Sequence, residues 1–113
     1  MKSKILALSK NEEFKNLLKQ KKITNKYVSI FFGKLLNKDK KRLNISFVTK
    51  KKIGNAVKRN KIKRRLRNMM NEALKKIKIN LNYSYLLIAR KSVLEDEYNF
   101  IKIKLFSELK NIR

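Results

Sequence analysis

The chain contains no cysteine and no histidine. A disulfide framework, a thiolate nucleophile, a Cys–His dyad and a Ser–His–Asp triad are therefore excluded, and a zinc site lacks its usual ligands. Acidic residues are few: 8 Asp and Glu stand against 32 Lys and Arg, for a formal net charge of +24. General acid–base or two-metal chemistry needs clustered carboxylates. The run Glu95-Asp96-Glu97 sits where the macrodipole of a following helix explains it better than a metal does. Proline is absent and glycine is limited to Gly33 and Gly54, so no linker suggests itself. The apolar run from Ile5 to Leu8 is too short for a signal-peptide core or a membrane span. These absences predict a single cytoplasmic domain over residues 1–113, with residues 1–8 as a loose tail and no membrane partner.

What is present points to a polyanion. Self-repulsion at +24 opposes compaction, and a nucleic acid relieves it by neutralising the surface. A chain that is 42% hydrophobic still has enough apolar surface for one core. Ser9 followed by Glu12 reads as a capping box, and Phe14, Leu17 and Leu18 then mark one face of a helix from about Lys10 to Gln20. Tyr27 to Phe32 and Asn44 to Thr49 are rich in β-branched and aromatic residues and flank a lysine-rich turn, Asn37 to Arg42. They read as a hairpin, with a shorter strand around Ile23 to Asn25. From about Asn55 to Lys78 the period becomes helical, with Ile62, Leu66, Met69, Met70, Ala73 and Ile77 on one face. Tyr83 to Arg90 reads as a buried strand. A last helix follows Glu95, with Tyr98, Ile101, Leu105, Leu109 and Ile112 as its stripe. The fold class is α+β: a single-domain α/β sandwich with a small mixed sheet of about four strands and three helices, in the order αβββαβα.

Charge is concentrated on the central helix and its approach. Ten of the eighteen residues from Lys50 to Arg67 are Lys or Arg, and none is acidic. At 100° per residue Arg59, Asn60, Lys63, Arg64 and Arg67 share one arc, opposite Ile62, Leu66, Met69 and Ala73. Like charges at i, i+4 destabilise a helix by roughly 0.2–0.5 kcal/mol per pair, and a merely solvated face would carry Glu between them. RNA suits these residue types: Arg grips phosphate bidentately and stacks on bases, Lys supplies a point charge, and Asn both donates and accepts. Lys50, Lys51 and Lys52 add charge near the helix N-terminus, where anions are stabilised. Lys61 belongs to the same basic set.

Val48-Thr-Lys-Lys-Lys-Ile-Gly-Asn-Ala-Val57, followed by Arg59-Asn-Lys-Ile-Lys-Arg64 and Arg67, resembles the signature of the bacterial ribonuclease P protein component. Asn11-Glu-Glu-Phe14 is similar to that family's first helix, Leu87-Ile-Ala-Arg-Lys91 to its last strand, and the segment after Glu97 to its C-terminal helix. The resemblance implies a left-handed crossover between parallel strands, where pattern alone gives a right-handed one. It also implies a protein without catalytic residues that helps an RNA subunit remove the 5′ leader of precursor tRNA by Mg²⁺-dependent hydrolysis. The metals then belong to the RNA, the chain binds no cofactor, and one protein monomer serves each RNA. By position, Lys50, Lys51, Lys52, Arg59, Asn60, Lys61, Lys63, Arg64 and Arg67 fall to the catalytic RNA, with Arg59, Asn60 and Lys63 shared with the leader. Phe14 and Ile30 are the remaining leader candidates, Phe14 being equally a core anchor. Some family members carry a second aromatic where Leu18 stands and a tyrosine where Ile30 stands, so the stacking platform looks thinner here. Tyr27, Phe31 and Phe32 offer alternative aromatic contacts, against the usual core role of strand aromatics.

Two other classes share this composition. A structural ribosomal protein matches in size, basicity and architecture, but nothing in rRNA binding asks for the lysine run, this helix and Phe14 together. A basic DNA-binding protein would need a dimer seam or a recognition helix free of phosphate-only residues. Neither is visible.

Overall fold

The computed structural model describes residues 4–8, 11–35 and 41–112. The Ser9 cap and most of the Asn37 to Arg42 turn lie outside the described residues. A two-residue strand β1 (Ile5–Leu6) precedes helix α1 (Asn11–Leu18), strands β2 (Lys21–Thr24), β3 (Val28–Gly33) and β4 (Leu43–Thr49), a 3₁₀ turn (Lys51–Ile53) and helix α2 (Ala56–Lys76). Strand β5 (Ser84–Ala89), a short helix α3 (Ser92–Glu95) and helix α4 (Tyr98–Lys110) complete the chain.

The strands form one mixed sheet in the order β1-β4-β5-β3-β2. β4 runs parallel to β5, and α2 is the crossover that parallel neighbours require. β5 pairs antiparallel with β3, and β3 antiparallel with β2. The expected α+β sandwich is present, with corrections. β3 and β4 are not the hairpin that their similar composition suggested: β5 lies between them, and the hairpin partner of β3 is β2, since pairing partners are set by packing and not by nearness in the chain. Residues 4–8 are not a loose tail: Ile5 and Leu6 pair with Leu43 and Asn44 in parallel, making a fifth strand. The Leu43 N–H donates to the Lys4 carbonyl at 2.8 Å, the Leu8 N–H donates to Ser46 Oγ at 2.9 Å, and Leu8 itself is buried. A strand of two residues has no readable period, which is why sequence pattern passes over it. The last helix stands where its stripe placed it, as α4 after Glu97, but a short helix that sequence pattern did not show, α3, precedes it and is capped at Asp96.

Strand alternation gives the sheet two unlike faces. Val28, Ile30, Phe32, Leu43, Ile45, Tyr85, Leu87 and Ala89 turn to one side and meet Ile62, Leu66, Met69, Met70 and Ala73 of α2, with Ile101, Leu105 and Leu109 of α4. Burying each large aliphatic side chain there contributes about 1.5–3 kcal/mol. The other side carries a smaller cluster, in which Leu8, Leu17 and Leu86 are buried and Phe14, Phe31, Val48 and Ile88 are half-covered. α1 packs on β3 and β5 from this side and leaves part of the sheet open.

Candidate RNA interface

Helix α2 begins at Asn55, whose side-chain oxygen accepts the Lys58 N–H at 3.0 Å and satisfies one of the unpaired amides of the first turn. Gly54, at φ 156°, makes the turn into it; a side chain there would be strained and would press on Lys58. The five core residues of α2 recur on one face, so the opposite face is fixed in water. Asn60, Arg64 and Arg67 lie on that exposed face as expected, and Lys61 is exposed too. Arg59 and Lys63 sit at its border and are half-buried. The Nε of Arg59 is buried without a hydrogen-bond partner among the described residues.

Arg65 belongs to the same basic run and does something else. Its guanidinium donates to the Val93 carbonyl at 2.6 Å and to the Asp96 carbonyl at 3.3 Å, and lies 5.7 Å from the Tyr98 ring centre. It ties α2 to the break between α3 and α4. The acidic run likewise has a structural partner: Asp96 accepts from Lys26 Nζ at 2.9 Å and from the Tyr27 hydroxyl at 2.7 Å. Those two hydrogen bonds, the one from Tyr27 first, hold the Asp96 carboxyl below the usual carboxylate range.

The open part of the sheet forms a cleft of about 500 Å³. Phe31 and Ile88 contribute apolar surface, and Lys50, Lys52, Arg90 and Lys91 bring positive charge to its lining. Parallel pairing of Thr49 with Ala89 explains the convergence: Lys50 leaves β4 beside the point where Arg90 leaves β5. Ligands of open sheets with parallel strands gather outside these carboxyl ends. Lys22 Nζ stands 5.7 Å from the Phe31 ring centre. The Arg90 guanidinium donates to the Asn25 carbonyl and, at 3.3 Å, to Ser29 Oγ, which ties the β2–β3 turn to the cleft wall.

Ile30 is corrected by this geometry. It is 0% exposed, in the core under α2, and has no access to the cleft. Its neighbour Phe31 faces the opening, because adjacent strand residues point to opposite sides of a sheet. Phe14 is half-buried in the cluster with Leu17 and Leu86, so it anchors α1, and it does not line the cleft. Leu18 is 46% exposed. Tyr27 and Phe32 are buried in the main core. Sequence reasoning missed Arg90, Lys91, Lys22 and Ser29, since only the strand pairing brings them to Lys50 and Phe31.

Comparison with known proteins agrees with this arrangement. The family model described as Ribonuclease P matches residues 3–113. The ribonuclease P protein component of Mesomycoplasma hyopneumoniae is 38% identical over 112 residues, covering 95% of each chain. That of Carboxydothermus hydrogenoformans is 36% identical over 107 residues, covering 91% of this chain and 87% of its own. Among solved structures, the RNase P protein from Thermotoga maritima superposes with a TM-score of 0.79 at 26% identity, covering 96% of this chain and 98% of that one. A Staphylococcus aureus RNase P protein gives 0.72 at 29% identity, covering 94% and 93%. The ribosomal alternative gains no support from these matches. A one-signed helix face, a cleft at the carboxyl ends of β4 and β5, and similarity along nearly the whole length lead to one assignment: the chain belongs to the ribonuclease P protein family.

Proposed function

We propose that this chain holds two RNAs at once: the exposed face of α2 binds the catalytic RNA of ribonuclease P, and the cleft takes the single-stranded 5′ leader of precursor tRNA. The cleft carries the proposal. An aromatic and aliphatic lining beside four cations fits unpaired RNA, whose bases stack on Phe31 while its phosphates meet Lys50, Lys52, Arg90 and Lys91. Duplex RNA keeps its bases inside the helix and gains nothing from that lining. Phe14 extends the apolar surface towards α1, and Lys51, Arg59, Asn60 and Lys63 add polar contacts near the junction of the two sites.

The chain's part is binding and electrostatics; the RNA carries the chemistry. Carboxylates do not gather here: Asp96 is held by Lys26 and Tyr27, Glu72 by Lys102 and Glu108 by Lys104, and the described residues form no group able to hold a metal ion. In this reading Mg²⁺ belongs to the RNA. A positive surface between two polyanions lowers their repulsion, so added protein lowers the Mg²⁺ needed for cleavage. One monomer per RNA, acting in the cytoplasm, completes the reading.

The test is the affinity of the reconstituted holoenzyme for precursor tRNA with and without a leader. Phe31→Ala should weaken binding of the leader-bearing substrate by about 1–3 kcal/mol, the contribution of one stacked base, and leave leaderless tRNA unchanged. Equal loss on both would remove the leader from the cleft.

A further inference from the structure

The exposed strip on α2 does not stop at the basic motif. Beyond Arg67 it continues through Asn68, Asn71 and Lys75 to the end of the helix at Lys76. No carboxylate interrupts it: Glu72, the acid of this helix, is half-buried and paired with Lys102 at 3.0 Å. Past the helix, the chain enters a loop whose Lys78, Asn80 and Asn82 line a second groove, of about 590 Å³, together with Lys110 and Ile112 from the end of α4.

Lysines in a last helical turn are ordinarily explained by the macrodipole, and that accounts for Lys75, Lys76 and Lys110. It does not account for Lys78, which lies beyond the final helical residue and outside the stripe that meets the core. Lys78 and Lys110 come from separate elements, are both exposed, and face one groove with no carboxylate among its described lining residues. Like charges brought together this way repel unless an anion lies between them. Two amides accompany them. Asn80 Oδ1 accepts the Asn82 N–H at 2.9 Å, which fixes the loop and sets both side chains at the groove.

We propose that this groove is the far end of the catalytic-RNA interface, gripping phosphates of the same RNA that the exposed face of α2 binds. The footprint then runs the whole helix, about 30 Å at 1.5 Å per residue. The inference rests on the assignment of α2 to the catalytic RNA. Continuity of the strip selects that RNA over the leader, whose cleft lies at the opposite end of α2, beside Lys50 and Lys52.

Because the chain lacks cysteine, Asn82→Cys gives one attachment point for an iron–EDTA probe that cuts nearby RNA by hydroxyl radical. The holoenzyme is assembled with catalytic RNA and precursor tRNA labelled separately. Discrete cuts in the catalytic RNA are expected; cuts in precursor tRNA alone, or in neither, overturn the proposal. A salt titration separates its failure from that of the α2 reading. Lys78→Ala with Lys110→Ala should reduce the slope of log K against log salt for the catalytic RNA by about 1.5, from roughly 0.7–0.9 per phosphate contact. Arg64→Ala with Arg67→Ala is the parallel arm. If only the arginine pair flattens the slope, the groove is not an RNA contact and the α2 reading stands. If neither pair does, both fall.

Discussion

Arg65 and Arg67 are separated by one residue and differ in everything that surrounds them. Arg65 spends its charge on two backbone carbonyls and a ring, whereas Arg67 meets water. Arg65→Ala should lower the unfolding free energy by about 1.5–3 kcal/mol, as for hydrogen bonds from a charged donor, with little change in the salt dependence of RNA binding. Arg67→Ala should reverse that pattern, with stability within about 0.5 kcal/mol of the parent and a flatter salt dependence. Chemical denaturation and filter binding on the two variants decide it. Ile30 and Phe31 form a similar pair. Ile30→Ala should cost about 2–5 kcal/mol of stability, as core truncations do, and Phe31→Ala mainly RNA affinity. Asp96 gives a prediction in pH. Its depressed folded pKa means that the carboxylate adds stability above its unfolded value, near 4, and that this contribution is lost as the pH falls through the lower folded value. Asp96→Asn should melt lower than the parent at pH 7, and the two curves should converge on acidification below about pH 4. A gap that stays constant with pH would show that the Tyr27 and Lys26 contacts do not act through ionisation.

At the level of elements, legibility followed length and one-sidedness. α2 was readable because its period holds over many turns and its two faces differ in chemistry, one aliphatic and one cationic. β5 was readable as an unbroken apolar run. The parity of β3 was not, because Ile30 and Phe31 are both apolar and only the packing of α2 decides which side becomes core. β1 is too short to carry a pattern, and its pairing depends on Leu43 lying far along the chain. Helical spacing leaves Arg65 off the basic arc, but the sequence does not name its partners, which come from α3 and the turn after it. The start of α2 is a local device and can be tested as one. Asn55→Ala should cost about 1 kcal/mol, the usual value of a side-chain cap, while Asn55→Asp keeps the bond. Equal melting temperatures for Asn55→Ala and the parent would mean that the cap contributes nothing.

For the molecule as a whole, +24 is the dominating quantity. A polyanion that binds the folded form raises its apparent stability in proportion to the logarithm of its concentration. Short single-stranded RNA should therefore raise the melting temperature at low salt, and the gain should fade as salt rises, with thermal scans in both conditions as the check. The half-covered side of the sheet carries a further consequence. Its apolar residues meet α1 only in part, so the protein forgoes hydrophobic burial that a second long helix would supply. Engineering for hardiness would tend to fill that gap, for example by enlarging Ser29 at its edge. Variants selected for heat resistance alone should thus drift towards a plugged, substrate-blind form, because here the vacancy is the useful part of the architecture.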